Sequence, residues 1–481
     1  MPTATIPKIA DDNARLLLPG EIRLSEVMSA LSTALDLTEG QPPGHAARSC
    51  LIGMKIARQI GLSNEELTPL FYGLLLKDLG CSSNAAKMCW LFGADERIVK
   101  KDLKLVNWTR VTECLKFSLS HVSPHANPLQ KALQMAIMAR AGEKAARDLV
   151  ETRCHRGADI ARELRFPEAT CEAISALDEH WNGKGHPYGL KGEEIPLLSR
   201  IMGLAQTIEV FHATFGREHA LEVAVQRSGS WFDPQLITAL QAVGDDQSFW
   251  INLETADFVT QVAACEPDDR IQTCNEEDLD RIAHAFASVV DAKSPWTFKH
   301  SEGVAKIAEG IAGVLGFSSE MQRDIRRAGL LHDIGKLGVA NTILDKPGRP
   351  TDEEFAAIRM HPDFSKQILD RVDAFRRLSD VASAHHERLD GNGYHRQIPG
   401  EKMTLQARIL AIADVFEALS AERPYRNALP LEKVHEIMSK DLDTGLCREC
   451  YEALQTWQDR TSITPRVEAQ LDAIERLHRE L

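Results

Sequence analysis

Two stretches of this sequence repeat one plan at a constant separation, which restricts the fold to paired copies of one unit. His45 and His300 lie 255 positions apart, and so do Lys77-Asp78 in LLLKDLG and His332-Asp333 in LLHDIGK. Further on, the separation drops to 208, aligning Asn182-Gly183 with Asp390-Gly391 and Arg200-Ile201 with Arg408-Ile409. The difference, 47 residues, is an insert in the first copy between Asp78 and about Arg153. It includes LFGADERIVKKDLK and reads as helical. A chain of 481 residues has room for both copies, since a domain commonly holds ~100–200 residues.

The repeated unit is helical. From His300 to Gly316 the apolar residues Val304, Ile307, Ala308, Ile311, Val314 and Leu315 fall on one helical face, and a glycine closes the run. The first copy repeats this with Ile52, Ile56 and Ile60, then Gly61-Leu62 where the second has Gly316-Phe317. Alternation over four or more residues is scarce, so strands are not expected. The predicted fold is all-α, with two tandem helical bundles. An arm spans 1–25, the first bundle 26–245, a linker 246–275, and the second bundle with a helical tail 276–481. The linker is placed where DDQSFWINLETADFVTQVAACEPDDRIQTCNEED shows weak periodicity, a proline and many acids.

Charge narrows the function classes. With 56 Lys and Arg against 70 Asp and Glu, the net charge of −14 disfavours sequence-independent binding of long nucleic acid. A local cationic pocket is compatible with it. No run of about 18 apolar residues appears, and the first 20 residues lack the apolar core of a secretion signal. A cytoplasmic protein without a membrane partner is expected. Ten cysteines without framework spacing read as reduced thiols. Cys447 and Cys450 form a CxxC, but without a second pair they read as ordinary helix cysteines rather than a zinc site.

The second copy concentrates metal-ligand chemistry. It contains His300, His332, Asp333, His361, His385, His386 and Asp414. A lone histidine on an apolar helix is ordinarily a satisfied core residue, and an isolated HD or HH pair arises by chance. Seven such side chains in one helical half, beside DIGK and DGNGY, form a far more specific pattern. Imidazole and carboxylate suit iron, manganese or zinc, whereas a magnesium site is ordinarily built from oxygen. Seven ligands can hold two metals, with a carboxylate beside a histidine as the candidate bridge. Such a pair acidifies water and offsets the charge that builds on phosphorus during phosphodiester hydrolysis, so no Ser or Cys nucleophile is required.

Further residues suit an anionic substrate. Lys336, four positions after His332, is placed to reach a phosphate oxygen. Arg423 and Arg426 in ERPYR supply two guanidinium groups, which read either as phosphate contacts or as a solvated helix face. Tyr394 follows Gly391 and Gly393, glycines that mark either a close approach to a ligand or a simple turn.

These motifs, TFKHS, LLHDIGKLGVAN, KPGRPTDEEF, HHERLDGNGY, ARILAIADVFEAL and ERPYR, resemble in order the HD-GYP domain of the HD superfamily of metal-dependent phosphohydrolases. Weaker echoes over 45–240 make the chain similar to tandem HD-GYP proteins, a group that includes phosphodiesterases of cyclic GMP-AMP. The resemblance implies that His300, His332, Asp333 and Asp414 hold one metal and that Asp333, His361, His385 and His386 hold the other, with Asp333 bridging. It implies two divalent or mixed-valence ions, iron or manganese. A third ion in some members needs a glutamate where this chain has Trp296, so two are expected. Asp333 and Lys336 are the candidate catalytic residues, Lys336 by stabilising substrate charge; the resemblance also implies that Tyr394 contacts substrate, and that Arg423 and Arg426 meet the second phosphate of a cyclic dinucleotide.

The sequence departs from the family in two places. The family's GYP ends here in His395, which bears on substrate preference and leaves the seven ligand positions untouched. In the first half those positions fall on His45, Lys77, Asp78, Arg153, Leu177, Asp178 and Gln206, so only His45 and Asp78 match, while Lys77 and Arg153 put fixed positive charge where cations would sit. His155 and His180 are nearby but out of register. This half is expected to be degenerate, with a regulatory or homodimerising role. The expected activity is hydrolysis of 3′3′-cyclic GMP-AMP or cyclic di-GMP to a linear dinucleotide. The alternatives are a catalytically silent cyclic-dinucleotide receptor and a general nucleotide phosphohydrolase.

Overall fold

The computed structural model describes residues 22–254, 257–297, 299–421 and 428–461. Helices dominate the described residues, and the one sheet pairs two two-residue strands, Ile22–Arg23 and Thr273–Cys274, antiparallel with Ile22 opposite Cys274.

The two halves share local devices as well as spacing. Helix His300–Val314 buries Val304, Ala305, Ile307, Ala308, Ile311 and Ala312 along one face and packs against helices Ser319–Leu331 and Leu405–Ser420. Its counterpart His45–Gln59 packs against Asn64–Leu76 and Leu197–Phe215. Serines start the third helix of each half. Ser318 Oγ accepts the Met321 N–H, and the Ser63 N–H donates to Glu66, caps worth about 1 kcal/mol each.

One glycine shows how the second bundle closes. A Cβ on Gly335 would lie 2.0 Å from the carbonyl oxygen of His361, so only glycine lets helix His361–Leu369 settle onto the turn that carries Asp333. The Gly335 N–H donates to Ser365 Oγ, and that hydroxyl donates to the carbonyl of His332. Gly80 stands in the same relation to Arg153 in the first half.

Segment 246–275, expected as the linker, carries ordered helices. It forms helices Gln247–Leu253 and Phe258–Cys265, the latter lying on His45–Gln59 and Leu24–Thr38, with Trp250 and Val262 buried. The acids that read as loop residues are helix caps: Asp246 accepts from the Phe249 N–H and Asp257 from the Thr260 N–H.

A single apolar core runs through both halves. Helix Leu24–Thr38 of the first half packs on the turn Ile334–Gly338 and on helix His361–Leu369, the elements that carry the metal-ligand candidates. The insert forms the helices Ala85–Phe92, Glu96–Leu103 and Val111–His121 and the start of Pro128–Glu163, with a small core of its own. It also reaches the second half. Glu96 and Lys293 form a fully buried ion pair at 2.9 Å, and Glu96 accepts the Asn341 N–H at 2.9 Å.

No helix among the described residues is long and apolar enough to cross a membrane. All ten cysteines are free. Cys447 and Cys450 are buried and belong to no cluster of three metal-capable side chains among the described residues.

Candidate metal centre

The seven candidate ligands come from five places in the second half. His300 begins helix His300–Val314, and His332 and Asp333 follow helix Ser319–Leu331. His361 begins helix His361–Leu369, His385 and His386 follow helix Asp373–Ala382, and Asp414 lies within helix Leu405–Ser420. The bundle brings them into one buried cluster, in which two triads have ligand atoms within 4.8 Å of one another: His300, His332 and Asp333, and His361, His385 and His386.

Asp333 joins the triads. Its Oδ2 lies 3.6 Å from His300 Nε2 and 3.3 Å from His332 Nε2, while its Oδ1 lies 3.3 Å from His361 Nε2 and 3.7 Å from His385 Nε2. Asp414 lies 3.2 Å from His300 Nε2 and 3.8 Å from His332 Nε2, and its other oxygen is 4.0 Å from His386 Nδ1.

The far nitrogens fix the tautomers. His332, His361 and His385 each turn Nδ1 to the carbonyl three residues earlier, at 2.7, 2.7 and 2.6 Å. His300 turns Nδ1 to Glu417 in a very short contact. In His332, His361 and His385 the Nδ1–H is therefore held as a donor and the Nε2 lone pair faces the cluster, the arrangement that metal-bound imidazoles use. Burial holds His361 and His385 below the ordinary imidazole range and His386 at about 3, which keeps these rings neutral and available as ligands. For His300 burial acts the same way, but hydrogen bonds to Asp414 and Glu417 outweigh it and lift the group to about 9.

The donor set fits a pair of divalent cations. His332 Nε2 and Asp333 Oδ1 are buried without hydrogen-bond partners, and an unpaired buried acceptor is costly unless something of opposite charge meets it. His361 Nε2 and His385 Nε2 approach to 3.1 Å, two acceptors that need a common cation or proton between them.

Beside the cluster, Lys336 extends its ammonium to Asp333 Oδ2 at 2.5 Å. Tyr394 lies against His386, with ring centroids 4.5 Å apart, and burial raises its phenol well above the usual value. His395, in the position of the family's proline, has φ of 92°. Proline is locked near −65°, so this loop path is closed to it. The loop is held by Glu387, which accepts the Arg396 and Ile398 N–H groups at 2.8 and 3.0 Å. Arg423 and Arg426 lie outside the described residues, as does the side chain of Trp296.

Two contributors escape a reading of the sequence. Glu417 orients His300, and its signal was its place three residues after Asp414 on one helix face. Arg359 lies over the rings of Phe355 and Tyr394, 4.6 and 5.4 Å from their centroids. It carries no motif beyond standing two residues before His361.

The first half keeps the frame and fills the centre with cations. His45 Nδ1 contacts Glu209 as His300 contacts Glu417, and Glu179 accepts three N–H groups of its loop as Glu387 accepts two. Lys77, in the place of His332, sets Nζ 2.9 Å from His45 Nε2 and against Asp78. Lys104 from the insert lies 3.8 Å from Asp78 and 2.8 Å from Glu39. Arg153 and Asp178, in the places of His361 and His386, form an ion pair, and Gln206 faces Lys104. Glu39, Asp78 and Cys81 cluster, but these ammonium groups neutralise the carboxylates. His155 is exposed and paired with Tyr188, while His180 is buried among aromatic rings.

Comparison with known proteins agrees with this duplicated frame. The HD domain family matches residues 130–236 and 284–444, one segment in each half. The chain is 45% identical to the 3′3′-cGAMP-specific phosphodiesterase 3 of Vibrio cholerae over 90% of its own length and 94% of that protein's. It is 38% identical to a cyclic di-GMP phosphodiesterase of Pseudomonas aeruginosa over 30% of its length and 36% of that protein's. The crystal structure of a cyclic GMP-AMP specific phosphodiesterase of V. cholerae matches with a TM-score of 0.63 at 41% identity, covering 92% of this chain and 98% of that one. With two all-helical bundles, a histidine–aspartate cluster and this agreement along nearly the whole sequence, the chain belongs to the HD domain family.

Proposed function

We propose that this protein is a metal-dependent phosphodiesterase that opens a cyclic dinucleotide to a linear one, with the second half as its catalytic unit. The observation that carries the reading is Asp333, whose two oxygens face two separate groups of imidazole nitrogens. His300, His332 and Asp414 would hold one iron or manganese ion and His361, His385 and His386 the other, with Asp333 common to both. When bound, the pair supplies Lewis-acid polarisation of a phosphoryl oxygen and acidification of water.

The chain's own residues supply the rest. The Lys336 ammonium sits partly exposed beside Asp333, where it meets the negative charge of an incoming phosphate. Tyr394 keeps its proton, available to donate to substrate, on a ring tilted against His386. Arg359 backs that ring. Arg423 and Arg426 take the second phosphate. Full-length similarity to a relative named for 3′3′-cGAMP, against partial similarity to one named for cyclic di-GMP, favours the mixed nucleotide.

The test is product analysis by mass spectrometry after incubation with each cyclic dinucleotide separately, with Fe(II) or Mn(II). Linear product from 3′3′-cyclic GMP-AMP, lost in Asp333→Asn, is expected. Binding without any linear product would leave a receptor, and turnover of mononucleotides alone would leave a general phosphohydrolase.

A further inference from the structure

A cavity of about 900 Å³ opens in the first half, in the position that the metal cluster takes in the second. Its floor is the Lys104, Glu39, Arg153 and Asp178 network, and one side is the loop NGKGHPYG, held by Glu179. By the 208-residue offset, His186 stands where Tyr394 stands in the second half. The insert closes the far side with apolar groups that include Met88, Phe92 and Phe117.

The polar end of this cavity is built from rings. Trp108, supplied by the insert, stacks on His186 with centroids 5.1 Å apart and planes within 19°. It also meets His180 at 4.7 Å and Trp231 at 5.7 Å, and His180 stacks on Trp231 at 4.0 Å. Burial depresses both imidazoles, His180 to about 3, so the rings form a neutral aromatic wall. His180 Nδ1, His186 Nδ1 and Trp231 Nε1 are buried and make no hydrogen bond.

Positive charge stands behind and beside that wall. Arg227 lies 4.2 Å from the Trp231 centroid, is buried and has Nη1 without a partner. The Glu113 carboxylate acts on it only at longer range, and burial outweighs that influence. A buried guanidinium without a counter-charge is costly unless an anion comes near. Lys184, exposed at the cavity mouth, adds a second cation.

We propose that this cavity is a second nucleotide site, which binds a purine nucleotide against the aromatic wall that Trp108 builds with the NGKGHPYG loop and does not hydrolyse it. Aromatic walls recognise the π-face of a base, and the surrounding cations suit its phosphate. The volume lies within the roughly 300–1,000 Å³ of small-molecule sites. Hydrolysis is absent because Lys77 and Arg153 occupy the ground where metals would sit. The inference is independent of the catalytic reading: a chain that hydrolysed nothing but bound nucleotide here would sink that reading and keep this one.

The experiment is isothermal titration of the full chain carrying Asp333→Asn, in metal-free buffer, with guanosine and adenosine 5′-monophosphates and with 3′3′-cyclic GMP-AMP. The expected result is a saturable event that persists when Tyr394→Ala is added and weakens about tenfold or more with Trp108→Ala. Trp108→Phe should retain most of the binding. If Trp108→Ala lowers the melting temperature, Lys184→Glu at the exposed rim gives the reading without touching the packed wall, and weaker binding is again expected. Absence of saturable nucleotide binding, or binding lost with Tyr394→Ala and untouched by Trp108→Ala and Lys184→Glu, would overturn the proposal. So would saturable uptake of a long-chain fatty acid with no nucleotide binding.

Discussion

The ammonium of Lys77 lies 2.9 Å from Nε2 of His45, the atom whose counterpart on His300 faces Asp333 and Asp414. One half thus holds a protonated side chain where the other offers lone pairs to a cation. Lys77→Met should leave Asp78 buried with only the more distant Lys104, and removing one partner of a buried pair costs about 3–5 kcal/mol. Urea unfolding of the variant against the parent protein reads this directly, with a lower midpoint expected.

Glu417 should act on metal affinity through His300. Glu417→Gln keeps the size of the side chain but removes the charge that fixes the Nδ1 proton. Loss of such an outer partner typically weakens metal binding about 10–100-fold. Metal retained per chain after dialysis against a graded chelator is the measurement, and an unchanged curve would count against the orienting role.

Removal of metal should lower thermal stability, because the cluster then leaves His332 Nε2 and Asp333 Oδ1 buried and unpaired. Acid should have the same effect. Imidazole binds metal only when neutral, so protons compete as pH falls, and because burial holds His361, His385 and His386 below the ordinary imidazole range, retained metal should decline only below about pH 6. Elemental analysis and melting curves across that range test both statements. The sign is fixed by the donor type: metal is retained at the higher pH and released at the lower.

The Glu96–Lys293 pair joins the insert to the second half in a setting closed to water. Lys293→Met should destabilise the chain by about 3–5 kcal/mol, since it strands the Glu96 carboxylate. The double variant with Glu96→Gln should recover part of that loss. A double-mutant cycle by denaturant unfolding measures the coupling, and additive effects would show that the two side chains act independently.

Much of this molecule is legible in its sequence because the signals are local or repeated. Helical periodicity, the two offsets and the histidine–aspartate set all lie in short windows or in their alignment. In 246–275 a cap and a loop residue look alike until the helix that follows is seen to pack.

The sequence by itself determined that the chain is two helical copies, that only the second carries seven metal-type side chains, and that lysine and arginine displace their counterparts in the first. Tertiary structure alone decided which oxygen of Asp333 faces which imidazoles, that Glu417 sets the proton on His300, and that Trp108 from the insert closes an aromatic cavity beside His186. Those outcomes depend on contacts between residues far apart in the sequence, 117 positions for His300 and Glu417. Such contacts follow from the packing of helices against one another rather than from the spacing within any one of them.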